Sequence, residues 1–267
     1  MQVFTRRFVL AAILIALTGA ITLPAQAASN ASLKGSYSFL TNLSTANVST
    51  NQFAMVGVLI FDGAGNVTGS YTSISLDTVQ TGTLGGTYSV KSNGTGKITF
   101  TTGSTAQFAI TLNSTTAGLA HGVQLLQTND NNNEIISGTA LLQSTTSTTY
   151  SAATLKGNYT FQYNPRTADG TLAEDGGIGI FTFDGIGSVK SSQTIVFGGT
   201  LFTGTGTFTY TVNMDGSGTI LSTGKGPQLG FALNSVVAGQ AKGLQFLDTN
   251  TSDGSGNLVI TGSALKQ

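Results

Sequence analysis

The sequence predicts an all-β protein: two tandem, small, antiparallel up-and-down β-barrels of about eight strands each, preceded by an N-terminal signal peptide. Three observations support this prediction. An apolar run that leads into an Asp-Gly-x-Gly turn occurs at residues 61–67 and again at residues 183–189, at a spacing of 122 residues (183 − 61). Each copy contains about eight strand-like segments separated by turn signals. No convincing helical periodicity follows the first 27 residues.

Composition limits the classes of function. Charged residues make up 8% of the chain and the formal net charge is +0, so a nucleic-acid interface would lack its main electrostatic attraction. Hydrophobic residues make up 39%, which argues against a disordered chain. The chain has no cysteine. Disulfides, thiolate metal sites, a cysteine nucleophile and a lipidated cysteine anchor are therefore excluded.

The first 27 residues have the organisation of a secretory signal peptide. Arg6 and Arg7 precede an apolar segment at residues 8–17, and Ala25 and Ala27 form a small-x-small cleavage signal. We therefore expect cleavage after Ala27 and a secreted, periplasmic or cell-surface location. Two alternatives stay open. One is a retained membrane anchor; the other is twin-arginine export, because residues 5–10 resemble that signal.

The two copies correspond from start to end. Residues 33–39 open the first copy and residues 155–161 open the second, again 122 residues apart. A second turn, at residues 93–96, is matched at residues 215–218. The closing spacing is 124 residues (262 − 138), and the length changes fall in loops, as expected of a structural repeat. The predicted domains are a first barrel at residues 32–143, a Ser/Thr-rich linker at 144–153 and a second barrel at 154–267.

The strand pattern favours closed barrels. Short connections favour antiparallel neighbours, and eight sequential strands can close into a barrel that leaves no free edge. Residues 56–61 and 178–183 are apolar on both faces, which is typical of strands that pack on both sides. Two-sheet sandwiches are the alternative, and a single transmembrane barrel of about sixteen strands is another. An eight-stranded barrel is either filled by its own side chains or holds one small ligand.

Three motifs of the copies resemble a known group of proteins. They are the Leu-Lys-Gly-x-Tyr-x-Phe opening, the Gly-rich strand that leads into Phe-Asp-Gly-x-Gly-x-Val, and the Tyr-x-Val strand before an Asx-Gly-x-Gly turn. These motifs are similar to the repeats of secreted bacterial proteins that have allene-oxide-cyclase-like barrels of the calycin type. The resemblance implies a small antiparallel barrel whose lumen takes an apolar molecule. No catalytic residue of the plant cyclases can be matched here, so none is carried over.

Two sets of residues are candidate binding sites. Aromatic and amide positions that recur between the copies are expected to line the lumens and bind a ligand: Tyr37, Tyr88, Gln124, Tyr159, Tyr210 and Gln245. For the tyrosines, core packing with the hydroxyl at the end of the barrel is the alternative, and for the glutamines it is a hydrogen bond to a neighbouring backbone. The loop at residues 164–177 carries charges that the first copy lacks: Arg166, Asp169, Glu174 and Asp175. This loop is either a rim site on the second barrel or a solvated hairpin.

No catalytic or metal site is predicted. His121 is the only histidine, and its counterpart is Lys242, which indicates an exposed position rather than a catalytic base. Asp62 and Asp184 recur at the turns. An Asp that bonds its own backbone is a simpler explanation for them than a calcium site.

These observations predict an exported, non-enzymatic protein without a cofactor that binds a small apolar ligand in a barrel lumen. It is expected to bind no nucleic acid and to keep no membrane span after signal cleavage. Two alternatives are an extracellular structural or adhesive protein, favoured by weakly charged Ser/Thr-rich repeats, and a cyclase-type isomerase, which rests on analogy of fold alone. Self-association is left open.

Overall fold

The computed structural model describes residues 27–45, 53–75, 78–129, 134–144, 149–167, 176–222, 228–249 and 258–267. In these ranges the chain forms sixteen strands and two three-residue 3-10 turns, Asn30–Ser32 and Ala152–Thr154. Neither turn is a candidate for a membrane span.

The sixteen strands form two closed antiparallel barrels, which confirms the predicted fold class and sets the sandwich and the single sixteen-strand barrel aside. In the first barrel, each strand pairs with its neighbours in sequence and β1 pairs with β8. The second barrel closes through β9 and β16 in the same way. The strands of the first barrel are β1 Lys34–Thr45, β2 Phe53–Asp62, β3 Asn66–Ser75, β4 Thr78–Val90, β5 Thr95–Thr102, β6 Gln107–Thr116, β7 Leu119–Gln127 and β8 Glu134–Ser144. Those of the second are β9 Lys156–Thr167, β10 Gly176–Asp184, β11 Ser188–Phe197, β12 Thr200–Val212, β13 Ser217–Ser222, β14 Gln228–Asn234, β15 Gly243–Asp248 and β16 Leu258–Lys266.

The repeated Asp-Gly-x-Gly turn joins β2 to β3 and β10 to β11. In the first copy, Asp62 Oδ1 accepts hydrogen bonds from the backbone N–H groups of Ala64, Gly65 and Asn66 at 2.7–2.9 Å. Gly65 has φ +124, a conformation that residues with a Cβ rarely adopt. Asp184 makes the same bonds in the second copy. The sequence therefore repeats this turn because its geometry requires both the carboxylate and the glycine.

One end of each barrel, here called the capped end, is closed by the segment before its first strand. Leu33 follows the first 3-10 turn and is fully buried, and Leu155 occupies the matching place in the second barrel. In the first barrel, the rings of Tyr37 and Tyr88 pack edge-on against Phe61, with centroids 5.5 and 5.0 Å away. The opposite end is called the far end.

The two barrels pack side by side through their outer surfaces. A cluster of buried apolar side chains from both barrels forms the centre of this interface: Ala54, Val56, Val58, Ile74, Ala232, Leu247 and Val259, with Leu40 packed against it. Strand β2 is therefore covered on both faces, which explains its two apolar faces. At the edge of the cluster, Ser70 Oγ donates a hydrogen bond to Asp215 Oδ2 at 2.5 Å.

Candidate functional site

The second barrel contains a cavity of about 230 Å³ in its lumen, toward the far end. Three aromatic rings in mutual contact belong to its apolar lining. Phe161 stacks on Phe181 with centroids 4.1 Å apart, and Phe246 meets both rings edge-on at 6.4 and 6.2 Å. The remaining lining residues are Tyr163, Ser191, Gln193, Ile195, Phe208, Ile220, Leu229, Asp248 and Ile260.

In the first barrel, side chains of the described residues fill the matching part of the lumen. The space that remains between Phe39, Leu84 and Phe108 is about 10 Å³, which is at the lower limit for one water molecule. Leu84 and Phe100 line this residual space, whereas their counterparts 122 positions later are Gly206 and Ser222. Phe208 stands where the first copy has Gly86, and its ring fills part of the volume that the two smaller residues leave. The cavity therefore arises where the second copy has lost bulky inward side chains.

Four polar side chains converge on this apolar cavity. Ser191 and Gln193 stand at alternate positions of β11, so both face inward. Asp248 is two residues after Phe246 on β15 and is buried, and Tyr163 stacks on Phe161 at 6.3 Å. Ser191 Oγ is buried and has no hydrogen-bond partner among the described residues. An unpaired buried hydroxyl is costly, and this one stands next to an empty volume.

The four predicted lumen tyrosines lie at the capped ends and do not line the cavity. Tyr37 and Tyr159 donate hydrogen bonds of 2.7 Å to the carbonyl oxygens of Ala120 and Ala241. Tyr88 and Tyr210 bond the carbonyls of the two capping segments. Burial raises the pKa of Tyr88 and of Tyr159 to about 12, and it raises the pKa of Tyr37 and Tyr210 as well. This geometry matches the packing alternative, because each hydroxyl bonds the protein backbone.

The two glutamines face outward, so their expected orientation into a lumen is wrong. Gln124 is exposed, while its neighbours Val123 and Leu125 belong to the core of the first barrel. Gln245 is buried between the barrels, where its Oε1 accepts a hydrogen bond from Ser38 Oγ at 3.1 Å and its Nε2 donates one to Thr139 Oγ1 at 3.0 Å. The recurring amide is thus part of an outer surface and not of a lumen.

The charged rim residues are largely beyond what the structure describes. Asp169, Glu174 and Asp175 lie outside the described residues, and Arg166 lies in β9 with no described side chain. The strand ends that flank this loop, Thr167 and Gly176, lie at the far end of the second barrel. The rim site therefore stays a prediction.

No candidate metal centre is found within the described parts of the chain. His121 is exposed on β7, as its exchange with Lys242 indicated. Side-chain and backbone hydrogen bonds, chiefly from the Asn66 amide, lower the pKa of Asp62 to about 2. The same backbone bonds lower the pKa of Asp184. Both carboxylates therefore accept the backbone hydrogen bonds that hold the turns.

Sequence reasoning missed the residues that line the cavity. A signal was available in the inward positions where the copies differ. Ser191 replaces Gly69, Gln193 replaces Tyr71, and Asp248 replaces Gln127 at a spacing of 121 residues (248 − 127). Residues that are identical in the two copies form the turns and the core that both barrels need to fold. The residues that differ between the copies form the lumen site that distinguishes the second barrel.

Neither the comparison with protein-family models nor that with curated proteins finds a match to this chain. Among solved structures, kievitone hydratase from Nectria haematococca is similar with 10% identity, a TM-score of 0.27 and coverage of 94% of this chain and 95% of that chain. A protein of unknown function from the DUF3598 family of Nostoc punctiforme has 12% identity, a TM-score of 0.27 and coverage of 88% and 96%. A mutant of transferrin binding protein B from Haemophilus parasuis has 8% identity, a TM-score of 0.26 and coverage of 88% and 77%. Likenesses at these scores carry no argument for function.

Proposed function

We propose that this protein is exported and that its second barrel binds a small, largely apolar ligand in the lumen. The observation that carries the proposal is the cavity of about 230 Å³ beside the Ser191 hydroxyl, which finds no hydrogen-bond partner in the described part of the chain. The first barrel serves as a reference, because at the matching place in its lumen the bulky side chains of Leu84 and Phe100 leave about 10 Å³. Export rests on the signal sequence at residues 1–27.

The volume of the cavity limits the size of the ligand. An engineered cavity of roughly 150 Å³ lined by apolar side chains binds benzene, and pockets for drug-sized ligands have roughly 300–1,000 Å³. The lumen therefore suits one substituted ring or a short branched chain. Carboxyl oxygens of Asp248 accept hydrogen bonds, and the hydroxyl of Ser191 both donates and accepts. We expect an apolar body with one hydroxyl or similar polar group.

Ligand-observed NMR with benzyl alcohol and cyclohexanol tests this proposal. A Leu229→Phe variant installs the residue found at the matching position of the first barrel, Phe108, and narrows the cavity. It is expected to weaken binding of both probes at least tenfold. The matched control, Phe108→Leu, changes the filled barrel and is expected to leave binding in the second barrel unchanged. Equal loss of binding in both variants, or no binding to the wild type, would reject the proposal. Native mass spectrometry of protein from its own host then identifies the natural ligand.

A second candidate function is that of an isomerase or cyclase. The observation that favours it is the buried carboxyl group of Asp248 in an apolar lumen together with Tyr163, since such a group is suited to proton transfer. The test is incubation of the compound recovered from the host with wild type and with Asp248→Asn. Conversion by the wild type alone supports an enzyme, and binding without conversion supports a carrier.

A further inference from the structure

The interface between the barrels joins two different surfaces. The first barrel contributes the outer side of β1, β2, β3 and β8, here called the β1–β2 face, with Val56, Val58 and Ile74 at its centre. The second barrel contributes the outer side of β14, β15 and β16, called the β14–β15 face, with Leu247 and Val259. Because the chain is a tandem repeat, each face has a counterpart on the other barrel.

None of the described residues covers either counterpart face, and both faces carry large apolar side chains. Ile178, Ile180 and Val196 of the second barrel match Val56, Val58 and Ile74 at a spacing of 122 residues, and they form the β9–β10 face. Leu126 and Ile135 of the first barrel match Leu247 and Val259, and they form the β6–β7 face. All five side chains are 36–62% exposed, whereas their counterparts are buried in the interface. Large exposed apolar residues on one surface indicate a binding partner.

The polar residues that form hydrogen bonds in the interface also have counterparts on the two exposed faces. Gln245 bonds Ser38 and Thr139 across the interface. On the free faces, Gln124 corresponds to Gln245. Thr160 and Ser263 correspond to Ser38 and Thr139. The pair of Ser70 and Asp215 has its match in Ser192 and Asn93. Every donor and acceptor of these contacts is therefore replaced by a residue able to make the same bond.

The β9–β10 face also has the shape of a docking site. A groove of about 560 Å³ crosses it, lined by Thr160, Ile178, Ile180, Ser192 and Ser263 among others. In the sequence, residues 178–183 are apolar on both sides in the same way as residues 56–61. Strand β2 has its second side covered by the other barrel, and β10 has no such cover among the described residues.

We propose that a second copy of this chain covers the β9–β10 face with its own β6–β7 face, repeating between molecules the contact that joins the barrels within one molecule. Since the two faces differ, the contact is head-to-tail, and assembly ends where a ring of molecules closes or continues as an open chain. The linker raises the effective concentration of the intramolecular contact, so the intermolecular contact forms only at higher protein concentration. This inference does not depend on ligand binding.

The test uses sedimentation velocity of the exported chain, residues 28–267, from about 10 μM to about 1 mM. The wild type is expected to associate as the concentration rises. Ile178→Glu places a charge on the β9–β10 face, and Leu126→Glu places one on the β6–β7 face. Both are expected to be monomeric over the whole range. Ile186→Glu is the matched control, because Ile186 is 87% exposed on the β10–β11 turn and belongs to neither face. It is expected to assemble like the wild type.

Mixing the two variants gives the decisive measurement. Each variant keeps the face that the other has lost, so an equimolar mixture is expected to form dimers and nothing larger. Dimer formation also shows that both variants are folded. A wild type that stays monomeric at about 1 mM, variants that assemble like the wild type, or a mixture that stays monomeric would each overturn the proposal.

Discussion

Replacing Ser191 by alanine tests whether the second barrel keeps a buried hydroxyl for a ligand. Burying a hydroxyl without a hydrogen bond costs roughly 1–3 kcal/mol in mutational data, and Ser191 Oγ has no partner among the described residues. We expect Ser191→Ala to raise the free energy of unfolding by about 1 kcal/mol, which corresponds to roughly 2–4 °C in Tm for a protein of this size. The same variant is expected to bind benzyl alcohol more weakly, because the hydroxyl available to the ligand is gone.

Ser38→Ala is the matched control. Ser38 is also buried, but its Oγ donates a hydrogen bond to Gln245 Oε1 at 3.1 Å. Its removal leaves a buried amide oxygen with a lost bond, which costs about 1–2 kcal/mol. The two Ser-to-Ala changes are therefore expected to have opposite signs and to differ by about 2–3 kcal/mol.

Urea unfolding of ligand-free protein measures both changes. Bound compounds must first be extracted, because a ligand stabilises the wild type by mass action and would hide the gain. A loss of about 1 kcal/mol or more in ligand-free Ser191→Ala would mean that the hydroxyl has a structural partner. Ser191 would then not be a ligand-facing hydroxyl.

Three further predictions concern the capped end and the turns. Tyr37→Phe removes the bond to the Ala120 carbonyl and is expected to lower the free energy of unfolding by about 1–3 kcal/mol in urea titrations; an unchanged value would contradict the capping role. The pKa of Tyr88 is raised to about 12 from 10.0, so the folded state holds this proton more tightly, and its contribution to stability is present below pH 10 and lost up to about pH 12. Tyrosinate absorbance followed together with circular dichroism checks this. The pKa of Asp62 is lowered to about 2 from 3.8, so its contribution is present above pH 3.8 and lost as the pH falls toward 2; Tm measured against pH should fall less steeply for Asp62→Asn than for the wild type.

The repeat and the turns made the fold predictable from sequence. Residues 61–67 and 183–189 contain the Asp and the two glycines that the turn requires, and the structure uses each of them as expected. The alternation of Tyr37 and Phe39 placed both side chains inside a barrel, where they are buried. Local patterns of this kind are reliable because backbone geometry alone fixes them.

The direction of Gln245 could not be read from its strand. The strand around Gln245 is apolar on both faces, because Leu244 and Phe246 fill the lumen while Leu247 packs against the other barrel. Alternation assigns a side chain to a lumen only when the opposite face meets water. The rim site on the 164–177 loop stays a prediction, because most of its charged residues lie outside the described residues.

By itself, the sequence determined a duplicated, closed β-unit, because strand alternation and turn chemistry are local properties of the chain, while export of the protein stays a prediction from residues 1–27. Tertiary structure decided where the described residues leave a cavity and which of their outer faces are buried. The volume of a lumen depends on residues as distant as Phe161, Ser191 and Asp248 meeting across the barrel. The burial of an outer face depends on how two barrels pack, and no local pattern contains that information.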